Sequence, residues 1–113
     1  NHPDMQAHQP RDKMLFQPYI QEVLKLYADT YKLNDPIVSP NFGDFSDTAP
    51  IYMTLGTEEL NYMDCMIFHE NVSKTNTPIH TYIGKDMQHD WLLFPTFDSK
   101  KARKEIARIM NSD

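Results

Sequence analysis

The sequence predicts an α/β fold, and specifically the edge of a doubly wound parallel sheet. Two short apolar runs, residues 51–55 and 79–83, read as strands. A helical pattern over residues 59–73 lies between them. A strand, a helix and a second strand in that order make a right-handed parallel crossover. Parallel strands are normally covered on both faces and sit in larger sheets, and two strands alone are marginal. The remaining strands of such a sheet are therefore expected to lie in other sequence.

Taken in order, residues 1–15 are polar, carry Pro3 and Pro10, and read as a loop that is ordered only where something covers it. Pro18 suits the first turn of a helix. Ile20, Val23, Leu24, Tyr27 and Tyr31 then recur at spacings of three and four, which predicts one apolar face over residues 18–32. Asn34 and Pro36 stop it. Residues 34–50 are rich in turn formers, yet Ile37, Val38, Phe42 and Phe45 are too apolar for a free linker. This connection is expected to lie pinned against the body.

Pro50 opens the first strand, a position where a strand tolerates proline. The helix over residues 59–73 points Leu60, Met63, Ile67 and Phe68 inward, with Glu58, Glu59 and Asp64 at its positive end. Residues 75–78 form the turn into the second strand. Trp91, Leu92, Leu93 and Phe94 read as core. A last helix over residues 99–111 takes Asp98 or Ser99 as N-cap and Ala102, Ile106, Ile109 and Met110 as its stripe. Residues 1–34 read as a polar loop followed by a helix, and residues 35–113 as part of one α/β core.

Composition removes several classes. A net charge of −5 argues against a nucleic-acid surface. The one basic cluster, Lys100, Lys101, Arg103 and Lys104, reads as the solvated face of the last helix. No run approaches the roughly 18 apolar residues of a membrane helix. Three glycines, Gly43, Gly56 and Gly84, are too few and too scattered for a phosphate loop or a dinucleotide fingerprint. Cys65 stands alone, so no intrachain disulfide or cysteine zinc site forms. It fits a reducing, cytoplasmic setting. Asn71-Val72-Ser73 matches a glycosylation acceptor by pattern only. No signal peptide is visible at Asn1, and no cofactor is implied.

Chemistry concentrates in two loops. In open α/β sheets, sites form at the carboxyl ends of strands. Glu58 follows the first strand and His89 the second. Neighbouring strands lie about 4.8 Å apart, so the two side chains are within reach of each other. A carboxylate bonded to one imidazole nitrogen would fix the tautomer and leave the other nitrogen as a general base. The residues by themselves leave other readings open. A loop histidine is commonly a plain surface residue, and Glu58 and Glu59 also suit a helix N-terminus. A metal held by His89, Asp90 and Glu58 lacks the usual paired histidines. His2, His8, His69 and His80 have no partner pattern. Ser39, Ser46, Ser73, Ser99 and Ser112 all lack a Gly-x-Ser-x-Gly setting.

The stretches Asp35-Pro36-Ile37-Val38-Ser39-Pro40, Ala49-Pro50-Ile51-Tyr52-Met53-Thr54-Leu55-Gly56-Thr57-Glu58-Glu59-Leu60 and Met87-Gln88-His89-Asp90-Trp91-Leu92-Leu93-Phe94-Pro95 resemble the C-terminal third of α/β-hydrolase esterases and lipases, in the bacterial hormone-sensitive-lipase-like group that includes acetyl esterases. The resemblance implies a serine carboxylic-ester hydrolase acting on short acyl esters. It places the triad histidine on His89 and the acid on Glu58, thirty-one residues apart, with Glu59 as the rival. It likens residues 1–32 to the lid insertion, which alone makes residues 1–34 lid-like, with Met14, Leu15 and Phe16 as lining of the acyl pocket. The family's nucleophile elbow and oxyanion loop have no counterpart in this sequence. Loss of the nucleophile alone costs about 10⁶-fold in turnover, so the chain by itself is expected to be inactive. The other reading is a non-catalytic interaction or structural piece that keeps only the hydrolase shape. The open sheet edge and uncovered lid segment are expected to pair with a second copy.

Overall fold

The computed structural model describes residues 5–112. His2 lies outside the described residues. In chain order the elements are α1 (Met5–His8), α2 (Gln17–Ala28), a 3₁₀ turn (Pro40–Phe42), β1 (Ile51–Gly56), α3 (Tyr62–Ser73), β2 (Ile79–Gly84), a second 3₁₀ turn (Trp91–Leu93) and α4 (Phe97–Met110). β1 and β2 pair in parallel, from Ile51 opposite Ile79 to Gly56 opposite Gly84, and α3 connects them. Both strands therefore end at the same level, which brings the two following loops side by side.

The core is small. Leu55, Leu60, Val72, Trp91, Ala28 and Ala102 are buried. Gly84 gives Trp91 its seat: a Cβ there would stand 2.7 Å from the indole ring. The Trp91 carbonyl accepts a 2.7 Å hydrogen bond from the buried Ser99 hydroxyl, which docks the second 3₁₀ turn on the start of α4.

The connection over residues 34–50 is held down, as its apolar content predicts. Phe45 packs edge-on against Phe68 of α3, ring centres 4.9 Å apart. Asn41 donates to the Asp64 carbonyl at 3.0 Å, and Thr77 donates to the Phe45 carbonyl at 2.6 Å. His69 bonds Thr81 at 2.8 Å and ties α3 to β2.

Four expectations need correction. The N-cap of α4 is Thr96, whose hydroxyl accepts from Ser99 N at 3.2 Å, because the helix starts two residues earlier than the pattern suggests. Leu93 is 78% exposed, since a 3₁₀ turn carries only Trp91 of that apolar run fully inward. α3 begins at Tyr62 and not at Glu59, because the Glu59 side chain is committed elsewhere. α2 ends at Ala28, short of the expected residue 32, and its apolar stripe is only partly covered, with Ile20 and Leu24 half-buried. Val23, Tyr27 and Leu26 are exposed, Leu26 at 82%, and only Ala28 of that helix is buried.

Candidate active site

The site is built where the two strands end. Beyond Gly56 the backbone of the β1–α3 loop runs directly against that of the β2–α4 loop. Thr57 N bonds Gly84 O at 3.0 Å and Glu58 N bonds Met87 O at 3.1 Å. Gly56 permits this approach, since a Cβ there would stand 2.1 Å from Met87 O. Thr57 adds a side-chain link, accepting from Asp86 N at 2.8 Å.

This ladder decides which glutamate turns inward. The Glu58 backbone amide faces the neighbouring loop, and its half-exposed carboxylate accepts from the Thr57 hydroxyl at 3.2 Å. Glu59, one residue on, is 5% exposed. Its Oε1 accepts from Gly56 N at 2.5 Å, and its Oε2 lies 2.8 Å from His89 Nδ1. The contact of carboxylate and imidazole expected from sequence is therefore made, with Glu59 in place of Glu58. Successive side chains in so tight a turn point to opposite sides, and counting from Gly56 does not say which side is inner.

His89 sits just before Asp90, which has left-handed backbone angles (φ 56°, ψ 19°). Aspartate tolerates that conformation better than most residues. It turns the chain sharply into the Trp91 turn and leaves the imidazole at the rim, 29% exposed. With Nδ1 against the carboxylate, the neutral ring carries its proton there, and Nε2 is free to accept one. The exposed Asp90 carboxylate stands 3.7 Å from Nε2.

Asp12 was not singled out by sequence reasoning, and it is 4% exposed. Its Oδ1 accepts from the backbone amides of Met14 and Leu15, each at 2.8 Å, and its Oδ2 accepts from Leu60 N at 2.7 Å. A lone aspartate in a polar loop carries no pattern that would have marked it.

Among the described residues no serine hydroxyl reaches His89. Ser73 donates to His69 O, Ser99 to Trp91 O and Ser112 to Ile109 O. His8 and His80 stack on Tyr62 and Tyr52 respectively. No group of three His, Cys, Asp or Glu suited to a metal ion occurs among the described residues. No described helix is long and apolar enough to cross a membrane. Met14 and Phe16, expected as pocket lining, are exposed and Leu15 is half-buried. An open groove of about 790 Å³ lies elsewhere, lined by Leu24, Val38, Met53, Cys65 and Phe68 among others. Burial, then the charges of Glu59 and Asp64, push the Cys65 thiol up to about 11.

No protein-family model and no curated protein matches the chain. Solved structures do. The hormone-sensitive-lipase homologue EstE7 from a metagenome library is similar with a TM-score of 0.91 at 19% identity, over 99% of this chain and 39% of its own. A candidate esterase of Staphylococcus aureus is similar with a TM-score of 0.90 at 29% identity, over 100% of this chain and 39% of its own. Esterase E25 is similar with a TM-score of 0.75 at 18% identity, over 96% and 37%. The chain has the fold of the C-terminal part of α/β-hydrolase esterases, and it spans about two fifths of the length of the structures it matches.

Proposed function

We propose that this chain supplies the acid and the base of a serine carboxylic-ester hydrolase that acts on short acyl esters. The observation that carries this reading is the 2.8 Å contact of Glu59 Oε2 with His89 Nδ1 at the carboxyl ends of adjacent parallel strands. The similar esterase structures support the same reaction class. His89 Nε2 takes the proton of an attacking serine and later returns it to the leaving alcohol. Glu59 holds the ring in the productive tautomer and stabilises the imidazolium formed between those two steps.

The serine and the oxyanion-hole donors come from sequence outside residues 1–113. The chain alone then makes no acyl-enzyme and turns over no ester. The test is p-nitrophenyl acetate hydrolysis by the intact protein that carries this chain and by its His89→Ala variant. The variant is expected to lose at least about 10³-fold in kcat. Equal rates would remove His89 from the mechanism.

A further inference from the structure

The geometry points to residues 11–13 as a clasp that sets the register of the Glu59–His89 pair, with Asp12 and Gln88 as positioning residues. The inference rests on the catalytic reading of that pair and adds a controlling element from a distant part of the chain.

Three consecutive residues of the N-terminal segment contact both loops of the site. The Gln88 side chain, next to His89, reads the backbone on either side of Asp12. Its Oε1 accepts from Lys13 N at 2.7 Å, and its Nε2 donates to Arg11 O at 3.0 Å. Between those two anchors the Asp12 side chain reaches the other way, to Leu60 N at 2.7 Å. Leu60 N belongs to the peptide that follows Glu59. The Glu59 backbone is otherwise bound through its N–H to Gly56 O at 3.3 Å and through its carbonyl to Tyr62 N at 3.1 Å. Asp12 thus fixes the remaining side of the acid's own turn, while Gln88 fixes the residue beside the base.

The chemistry of Asp12 suits the task. Its two oxygens accept from three backbone N–H groups, all on a side chain that is 4% exposed. Bonds from amides to a carboxylate are stronger and shorter than neutral ones. An asparagine cannot replace it. Whichever way its amide turns, one face sets an NH₂ against a backbone N–H. Gln88 is also matched to its partners, since one amide group meets one donor and one acceptor on residues two apart. A shift of the segment by one residue would present Pro10 O and Asp12 N instead, and these are already bonded to Lys13 Nζ and His8 O.

The test uses the intact protein and two readouts. One is kcat and KM on p-nitrophenyl acetate. The other is the far-downfield proton NMR signal of a His89 Nδ1–H held against a carboxylate, assigned by its loss in His89→Ala. Asp12→Asn is expected to lower kcat about 10- to 100-fold with KM changed less than about threefold, since small misplacements of a catalytic pair act at that scale. It should also shift or broaden the downfield signal. Gln88→Leu should move both readouts in the same direction by a smaller factor. Its side chain is half-buried, so this variant keeps the question answerable should Asp12→Asn fail to fold.

Thr77→Ala is the control. Thr77 is buried at the opposite end of β2 and bonds Phe45 O and Thr48 N, so its loss should lower thermal stability while leaving kcat intact. Wild-type kcat and an unmoved downfield signal in both clasp variants would overturn the inference. So would a Thr77→Ala variant that loses as much kcat as Asp12→Asn. Wild-type rate in His89→Ala would instead defeat the catalytic reading, and the NMR signal alone would then decide whether the clasp holds the pair.

Discussion

Two regions of this molecule differ sharply in how finished they are. Around the strand ends, backbone lies on backbone, both oxygens of Glu59 and of Asp12 are engaged, and the imidazole is held on one nitrogen. Around α2, Tyr19, Val23, Leu26 and Tyr27 are exposed. A soluble surface rarely exposes so many large apolar side chains together. The groups around the Glu59–His89 pair are satisfied by one another, whereas the α2 face leaves large apolar side chains exposed.

The greatest loss is expected from Gly56→Ala. The new methyl would meet Met87 O at 2.1 Å, and the atom in its way is backbone, which cannot swing aside. The two loops must separate, at a cost of about 3 kcal/mol, the upper end of what overpacking a rigid contact costs. Urea unfolding of the intact protein measures this. An unchanged midpoint would mean that the loops are looser than their hydrogen bonds indicate.

Next comes the pair of glutamates. Glu59→Gln keeps the shape but removes the charge opposite His89 and permits the wrong tautomer, so kcat of the intact protein should fall about 10²- to 10⁴-fold. Glu58→Gln should stay within about threefold, because that side chain meets only the Thr57 hydroxyl. A reversed ranking would put the acid on the residue that the strand-to-loop count favours, against the observed hydrogen bond.

A third substitution addresses the unfinished region. If α2 faced water in the intact protein, Leu26→Asp would cost under about 0.5 kcal/mol, as surface changes do. We expect about 2 kcal/mol or more, because the face is apolar over several turns and a carboxylate cannot be buried there unpaired. Thermal unfolding of the intact protein separates the two outcomes.

What the sequence made legible follows from range. Both strands and the three longer helices rest on local periodicity and sit within a few residues of where that periodicity puts them. A contact between His89 and a glutamate was legible because both follow the ends of paired strands. Glu59 was read only as the rival of Glu58, because a one-residue rotation in a tight turn is set by the Glu58–Met87 backbone bond from the neighbouring loop. Asp12 was invisible for the same reason: its partner Leu60 lies 48 residues away. The α2 stripe was read correctly as apolar, but a stripe does not say which chain segment covers it. Leu93 was misplaced because a 3₁₀ turn breaks the run that hydropathy alone treats as one unit.

Cys65 lies where the two regions meet, and its reactivity offers the finest measure of how they are coupled. It sits on α3, lines the apolar groove, and feels the charge of Glu59 from the site. Its thiol is pushed from 9.0 up to about 11, chiefly by burial. The thiolate is the reactive form, so alkylation by iodoacetamide near pH 8 should run about 100-fold slower than a thiol at 9.0 would, and should accelerate as pH rises toward 11. The sign of the coupling is fixed. Removing the negative charge at Glu59 stabilises the thiolate, so Glu59→Gln should speed alkylation at a given pH, while Glu58→Gln should not. A Cys65 that reacts like a free thiol would show that the groove wall does not bury it. A Cys65 indifferent to Glu59 would show that the groove and the Glu59–His89 pair are electrostatically separate.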